Sequence, residues 1–168
     1  MSSVPPGGPS RARATFLLLG LGVAGVDHLA KWAVVHYLPP GQSVPVLGPV
    51  MSLTRQTNTG ALFSLFSGGG VYLAAAGLVL TGVLLVWGLT VGPRQGRFLL
   101  PLGLLLGGSL GNLVDRLARG HVVDFLDFHF WPVFNLADIA LTVGALLAVY
   151  QVLFTELSRG HARPREVD

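Results

Sequence analysis

The stretch VYLAAAGLVLTGVLLVWGLTV, residues 71–91, contains no charged side chain and is long enough to cross the hydrocarbon core of a membrane as one helix. Three further stretches are comparably long and apolar, at about residues 14–37, 97–117 and 135–157. A backbone in lipid must satisfy its own hydrogen bonds, and a helix does so without a partner segment. The pattern therefore predicts an all-α membrane protein with four transmembrane helices.

The composition agrees with this interpretation and excludes several others. Charged residues make up 11% of the 168 residues, whereas about 25% is usual in soluble domains. Hydrophobic residues make up 51%, which excludes an intrinsically disordered chain. Because cysteine is absent, a disulfide framework, a thiolate zinc site and a cysteine nucleophile are excluded as well.

The distribution of basic residues predicts the orientation, because cytoplasmic loops carry an excess of Lys and Arg. Seven basic residues flank one side of the predicted spans: Arg11, Arg13, Arg94, Arg97, Arg159, Arg163 and Arg165. We therefore expect both termini in the cytoplasm and two longer segments outside, about 38–70 and 118–134. Residues 1–13 and 158–168 are expected to be cytoplasmic tails, disordered at both ends, and 14–157 one transmembrane domain. The first span is interpreted as an uncleaved anchor rather than a removable signal peptide.

The first outer segment carries signals of regular structure. Residues 44–47 and 50–54 are typical of short strands, and Gly60–Phe66 is typical of an amphipathic turn of helix at the membrane interface. We expect a small extracytoplasmic β-element and a short amphipathic interfacial helix.

Charged side chains occur inside the apolar spans, where each costs about 2.5–3.5 kcal/mol at the centre of a membrane. Such residues are expected to face the bundle interior in pairs and to serve function. Asp27 and Lys31 are four residues apart and can pair within one helix. This pattern leaves open whether the pair only holds the helix or contacts a substrate.

A polar group lies near the outer end of the third span. Asn112, Asp115 and Arg116 are spaced to share one helix face. Arg116 offers five hydrogen-bond donors, which suit a carboxylate or a substrate carbonyl. The alternative is an Asp115–Arg116 pair that caps the helix at the interface.

Two aspartates are predicted to meet near the outer membrane face. Asn135 is a good helix N-cap, and Asp138 lies in the first turn after it, where an acid also suits the helix dipole. Asp124 lies in the strand-like stretch 121–129, one short loop earlier. Two close carboxylates share one proton, so one can deprotonate a water while the other protonates the scissile group. The arrangement predicts an aspartic protease that uses no metal and no cofactor.

Five short motifs follow one another along the chain: Asp27-xxx-Lys31, Asn58-Thr-Gly60-Ala61-Leu-Phe63, Gly111-Asn112-Leu-Val-Asp115-Arg116, Val122-Val123-Asp124-Phe125 and Phe134-Asn135-Leu-Ala137-Asp138. Together they resemble the motifs of bacterial lipoprotein signal peptidase (signal peptidase II), over about residues 14–157. The resemblance implies Asp124 and Asp138 as the catalytic dyad. It implies supporting roles for the other motif positions: Asp27, Lys31, Asn58, Gly60, Asn112, Asp115, Arg116, Asn135 and Ala137. One departure is Leu62, where a small residue is expected, with an effect confined to packing of the outer loop.

The resemblance also implies a substrate. The family removes signal peptides from prolipoproteins by cutting before a diacylglyceryl-modified cysteine, and the cyclic peptide globomycin inhibits it. We therefore expect lipid-modified prolipoproteins and membrane lipids as partners, no nucleic acid, and a monomer in the bacterial cytoplasmic membrane.

Three other functions are compatible with parts of the sequence. Gly107-Gly-Ser109-Leu-Gly111 matches a serine-nucleophile pattern but lies in mid-helix rather than at a strand–helix turn. A metal site at His121, Asp124, Asp127 and His129 is chemically possible, although strand alternation separates Asp124 from the others. A small transporter could use buried Asp and Lys residues as a relay.

Overall fold

The computed structural model describes residues 8–60, 70–90 and 95–160 of the chain. The helices are α1 (Gly8–Tyr37), α2 (Gly70–Thr90), α3 (Leu99–Arg119) and α4 (Leu136–Gly160), and a 3-10 turn, Gly96–Phe98, leads into α3. The strands are β1 (Ser43–Pro45), β2 (Ser52–Asn58) and β3 (Val122–Asp127). The predicted fold class, four long helices with a small sheet, is confirmed.

Two segments differ from the expected boundaries or lie outside the described residues. Helix α1 begins at Gly8, so residues 8–13, expected in a disordered tail, are helical. The expected interfacial helix at Gly60–Phe66 and the unusual Leu62 fall, Gly60 apart, on residues 61–69, which lie outside the described residues.

All four helices are long and apolar enough to cross a membrane. Large apolar side chains cover the outer faces of α1, α2 and α4, and Leu18, Val79 and Leu146 are each more than half exposed. Such surfaces are costly in water and suit contact with lipid tails.

Helix α3 is the centre of the bundle and packs against α1, α2 and α4. Small residues allow this close approach. A Cβ at Gly107 would lie 2.5 Å from the Cβ of Val23, and one at Gly111 would lie 2.8 Å from Oδ2 of Asp27. The glycines therefore bring the backbone of α3 against the polar side chains of α1.

The three strands form an antiparallel sheet in the order β1-β2-β3. Between Leu53 and Gln56 the β2–β3 register shifts by one residue, so that Gln56 lies opposite Asp124. Without this bulge Arg55 would lie opposite Asp124, because a one-residue shift exchanges the two faces of a strand. The bulge therefore brings Gln56 and Asn58 to the face of the sheet that carries Asp124.

The chain returns from β3 to α4 through a tight connection. Phe134 forms an isolated bridge with Leu126, and its carbonyl accepts hydrogen bonds from the backbone N–H groups of Phe125 and Leu126. This bridge fixes the N-terminus of α4 beside β3.

Candidate active site

The first turn of α4 is built by a reciprocal cap. The side-chain oxygen of Asn135 accepts a hydrogen bond from the backbone N–H of Asp138 at 2.9 Å. The carboxylate of Asp138 in turn accepts one from the backbone N–H of Asn135 at 3.2 Å. This is a capping box with Asp in the position usually held by Glu. The predicted N-cap is present, and it fixes the orientation of Asp138.

Asp124 projects from β3 toward the same point. Its two carboxylate oxygens accept hydrogen bonds from Nδ2 of Asn58 at 2.9 Å and Nδ2 of Asn135 at 2.6 Å. Asn135 therefore contacts both aspartates, through its side-chain amide on Asp124 and through its backbone on Asp138. The two predicted dyad residues are brought to one site.

Both carboxylates open into one cavity of about 700 Å³ between the sheet and helices α2, α3 and α4. Its wall is mostly apolar, with a few polar side chains. The polar lining residues are Gln56, Asn58, Ser109, Asn112, Arg116, Asp124, Asp138 and Thr142. A largely apolar pocket with convergent polar groups is the form expected of a binding site.

Asn112 connects the cavity to the bundle interior. Its Nδ2 donates to Oδ1 of Asp138 at 2.8 Å. Its Oδ1 accepts hydrogen bonds from Nζ of Lys31 at 3.0 Å and from Nδ2 of Asn135 at 3.2 Å. Two donors thus determine the orientation of this amide, and the amide presents its own N–H to Asp138.

A buried charge cluster lies behind Asn112. The ammonium of Lys31 contacts Oδ2 of Asp27 at 2.7 Å and Oδ2 of Asp115 at 2.9 Å, and all three side chains are fully buried. Arg119 also pairs with Asp115. The two cations and two anions balance, which is how buried charges are tolerated. We name these four residues, Asp27, Lys31, Asp115 and Arg119, the charge cluster.

The geometry of the charge cluster separates the Asp27–Lys31 pair from the cavity. The predicted pair forms, but neither residue lines the cavity. Asp27 also accepts a hydrogen bond from the backbone N–H of Ala137 at 2.9 Å, and thus joins α1 to the start of α4. The pair supports the site from behind, through Asn112 and Ala137.

Arg116 lines the cavity and donates to the carbonyl of Gly60 at 3.3 Å and to that of Asn112 at 3.5 Å. The backbone N–H of Gly60 donates to Oδ1 of Asn58 at 2.9 Å, which turns the Asn58 amide N–H toward Asp124. The alternative Asp115–Arg116 pair does not form within the described ranges, where Asp115 pairs with Lys31 and Arg119 instead.

Burial of Asp124 and, less strongly, the nearby charge of Asp138 raise the pKa of its carboxyl to about 6. The amide donors of Asn58 and Asn135 act against this shift, because they stabilise the ionised form. Asp124 therefore binds a proton far more readily than an exposed aspartate does.

The sequence profile described as "Signal peptidase (SPase) II" matches residues 19–154. The chain belongs to the signal peptidase II family. The lipoprotein signal peptidase of Moorella thermoacetica is 39% identical over 145 residues, which is 86% of this chain and 97% of that protein. That of Thermosynechococcus vestitus is 44% identical over 138 residues, 78% of this chain and 85% of that protein.

Solved structures agree with this membership. One bacterial membrane enzyme, determined by the in meso method at 2.3 Å resolution, matches with a TM-score of 0.81 and 26% identity over 92% of this chain and 95% of its own. A second, at 1.9 Å resolution, matches with a TM-score of 0.76 and 27% identity, over 83% and 93%. With its four apolar helices, this member of a peptidase family is a multi-pass bacterial membrane protein.

The structure does not assemble the serine-nucleophile site or the metal site among the described residues. Ser109 bonds to the hydroxyl of Thr81 at 2.7 Å and not to a histidine. Asp127 accepts hydrogen bonds from Thr54 and from the backbone of His129, on the face of β3 opposite Asp124. Among the described residues, no three of the His, Asp and Glu side chains are grouped as metal ligands would be.

Sequence reasoning missed several residues of this site. Arg119 is four residues after Asp115, a spacing that could have indicated the pair. No sequence signal indicated that Gln56 and the segment 131–134 line the cavity.

Proposed function

We propose that this chain is an aspartic endopeptidase that removes signal peptides from prolipoproteins and cuts before the diacylglyceryl-modified cysteine. One observation carries the proposal: Asp124 and Asp138 open into the same cavity and both bind Asn135. Membership of the signal peptidase II family and the lipoprotein signal peptidases among the relatives support the substrate class.

The proposed mechanism needs only the two carboxyls and a water. The pair holds one proton, because two close carboxylates do not readily ionise together. The ionised member takes a proton from a water that attacks the scissile carbonyl, while the protonated member donates its proton to the carbonyl oxygen. When the C–N bond of the resulting gem-diol breaks, the first member passes the proton it took to the leaving amine, and the second recovers a proton from a gem-diol hydroxyl. The raised pKa of Asp124 supports this division, since the group must carry a proton near neutral pH.

The remaining polar residues hold the reactants. Asn58, Asn112 and Asn135 each direct an amide N–H at one of the aspartates, which limits the rotation of both carboxyl groups. Arg116 has donors beyond those used for the Gly60 and Asn112 carbonyls, and we assign it to a substrate carbonyl at the cavity wall.

The proposed orientation follows from the basic flanks. The dyad lies at the C-terminal end of α3 and the N-terminal end of α4, opposite the ends flanked by most of the Arg residues. Both termini then lie in the cytoplasm and the cavity lies near the outer face of the membrane. A lipid-anchored signal helix enters sideways from the bilayer, and residues 14–157 act as one monomeric unit among membrane lipids.

The experiment is cleavage of a lipidated prolipoprotein peptide by the purified chain in detergent. Asp124→Asn and Asp138→Asn are each expected to lower kcat by about 10³-fold or more, because each removes one partner of the proton transfer. Both variants should unfold at about the same temperature as the unmodified chain, which shows that they are folded. Globomycin should inhibit the unmodified chain.

The matched control is Asp127→Asn, the same substitution on the same strand but on the other face of the sheet, where it should leave kcat within about threefold. Retained cleavage in the double variant Asp124→Asn/Asp138→Asn would refute the dyad. Loss of activity in EDTA would point instead to a metal.

A further inference from the structure

The cavity continues past the dyad toward the middle of the membrane. Gly77 and Leu80 of α2, Ser109 of α3 and Leu141 of α4 line this deeper part. Ser109 precedes Asn112 by three residues, so it lies about 4.5 Å further from the outer end of α3. Ser109 is a polar residue of this deeper lining, and the proposed mechanism does not use its hydroxyl.

The hydrogens of two hydroxyl groups can be assigned by counting. Oγ1 of Thr81 lies 2.7 Å from the carbonyl oxygen of Gly77 and 2.7 Å from Oγ of Ser109. A carbonyl has no hydrogen to give, so the Thr81 hydrogen must lie between Thr81 and Gly77. The contact between the two hydroxyls then requires the hydrogen of Ser109. The hydrogen of Ser109 is therefore used in this contact, and its Oγ, on a residue that lines the cavity, keeps a lone pair that can accept a hydrogen bond.

An acceptor at this depth matches a need of the substrate. A peptide must leave the helical conformation to be cut, and each backbone N–H released in an apolar cavity costs free energy unless it finds an acceptor. The Thr142 hydroxyl donates to the carbonyl of Asp138 on its own helix and by the same count keeps an acceptor lone pair, but it lies at an exposed position of α4. Ser109 is buried, so its acceptor is the one enclosed by the helices. Arg116 offers donors only and suits substrate carbonyls.

We propose that Ser109 is a substrate-binding residue whose Oγ accepts a hydrogen bond from a backbone N–H on the signal-peptide side of the scissile bond. The inference rests on the proposed function, because it assumes a peptide in this cavity with its signal segment toward the cytoplasm. An extended chain advances about 3.3 Å per residue. Ser109 lies about 4.5 Å deeper along α3 than Asn112, which contacts the dyad, so an extended peptide would place one of the three N–H groups before the scissile bond near Ser109.

The experiment combines a Ser109→Ala variant with substrates in which one backbone amide N–H is replaced by an ester oxygen. The esters are introduced singly at the three positions before the scissile bond, which itself stays an amide. At one position the ester should raise KM of the unmodified enzyme about threefold to tenfold, the range of one neutral hydrogen bond. In Ser109→Ala the all-amide substrate should show this raised KM with kcat retained, and the same ester should have no further effect.

The control is Thr81→Val, which removes the same contact between α2 and α3 but keeps the oxygen of Ser109. Thr81→Val should remain sensitive to the ester, whereas a merely structural role of the two hydroxyls would make both variants respond alike. If the enzyme cleaves the all-amide substrate and Ser109→Ala responds to every ester as the unmodified enzyme does, the inference is overturned and the proposed function stands. Absence of any cleavage by the unmodified chain would refute the proposed function itself.

Discussion

Four aspartates surround Asn112 in two contrasting environments. In the charge cluster, Asp27 and Asp115 are met by the cations Lys31 and Arg119. At the cavity, the partners of Asp124 and Asp138 among the described residues are uncharged N–H donors, from the amides of Asn58, Asn112 and Asn135 and from the backbone of Asn135.

The difference shows how one residue type can serve two purposes in one bundle. A carboxylate that is paired with a buried cation can hold helices together through that ion pair. A carboxyl that is bound only by amides and lies beside a second carboxyl can take up a proton near neutral pH, as the pKa of Asp124 at about 6 indicates. Asn112 joins the two environments, since it bonds to Lys31 on one side and Asp138 on the other.

The largest expected effect that tests this contrast comes from Lys31→Met. Removal of the ammonium leaves two buried carboxylates with one half-exposed arginine, and breaking a buried pair in this way costs about 3–5 kcal/mol. We expect a large fall in the thermal unfolding temperature in detergent, with loss of activity as a consequence. The measurement is thermal unfolding followed by intrinsic tryptophan fluorescence.

The control for Lys31→Met is the double variant Asp27→Asn/Lys31→Met, which restores the charge balance of the cluster. It should unfold at a higher temperature than Lys31→Met alone. If the double variant is the less stable of the two, charge balance does not explain the cluster.

A smaller effect is expected from Asn58→Ala on the pH dependence of cleavage. The Asn58 amide stabilises the ionised form of Asp124, so its loss should raise the pKa of that carboxyl. Because the mechanism needs a proton on the pair, kcat/KM of the unmodified enzyme should fall as pH rises through about 6. In Asn58→Ala this descending limb of the pH profile should move to higher pH by up to about one unit.

The control is Gln56→Ala, on the same face of β2, where the side chain lines the cavity without a described hydrogen bond to either aspartate. This variant should leave the position of the limb unchanged. A shift to lower pH in Asn58→Ala would contradict the assignment of the proton to this pair.

The smallest effect is expected from Arg119→Gln. The Arg119 side chain is 34% exposed, so solvent screens its pair with Asp115 and the loss of stability should be no more than about 1 kcal/mol. Arg119→Lys should recover most of it. A loss as large as that of Lys31→Met would show that Arg119 stabilises the buried carboxylates as much as Lys31 does, and would contradict the assignment of Lys31 as their main partner.

Much of the site follows from local spacing. Asp27 and Lys31 pair because residues four apart share a helix face, and Asn135 caps α4 because the N-cap favours Asn before an apolar helix. The same spacing argument groups Asn112, Asp115 and Arg116 on one helix face, but it does not distinguish their partners. Asp115 pairs with Lys31 and Arg119, whereas Arg116 turns to the cavity.

The sequence by itself determined the four spans, the small sheet and the charged positions that the bundle has to bury, because hydrophobicity and helix spacing are local properties. The tertiary structure decided which of these groups meet. The bulge in β2 brings Asn58 to the face of Asp124, and the glycines of α3 let Asp27 approach closely. The packing of α2 against α3 brings the hydroxyl of Ser109 to that of Thr81, and this contact determines which of the two donates its hydrogen. Strand register and helix packing are set by contacts between segments far apart in the chain, which spacing within one segment does not encode.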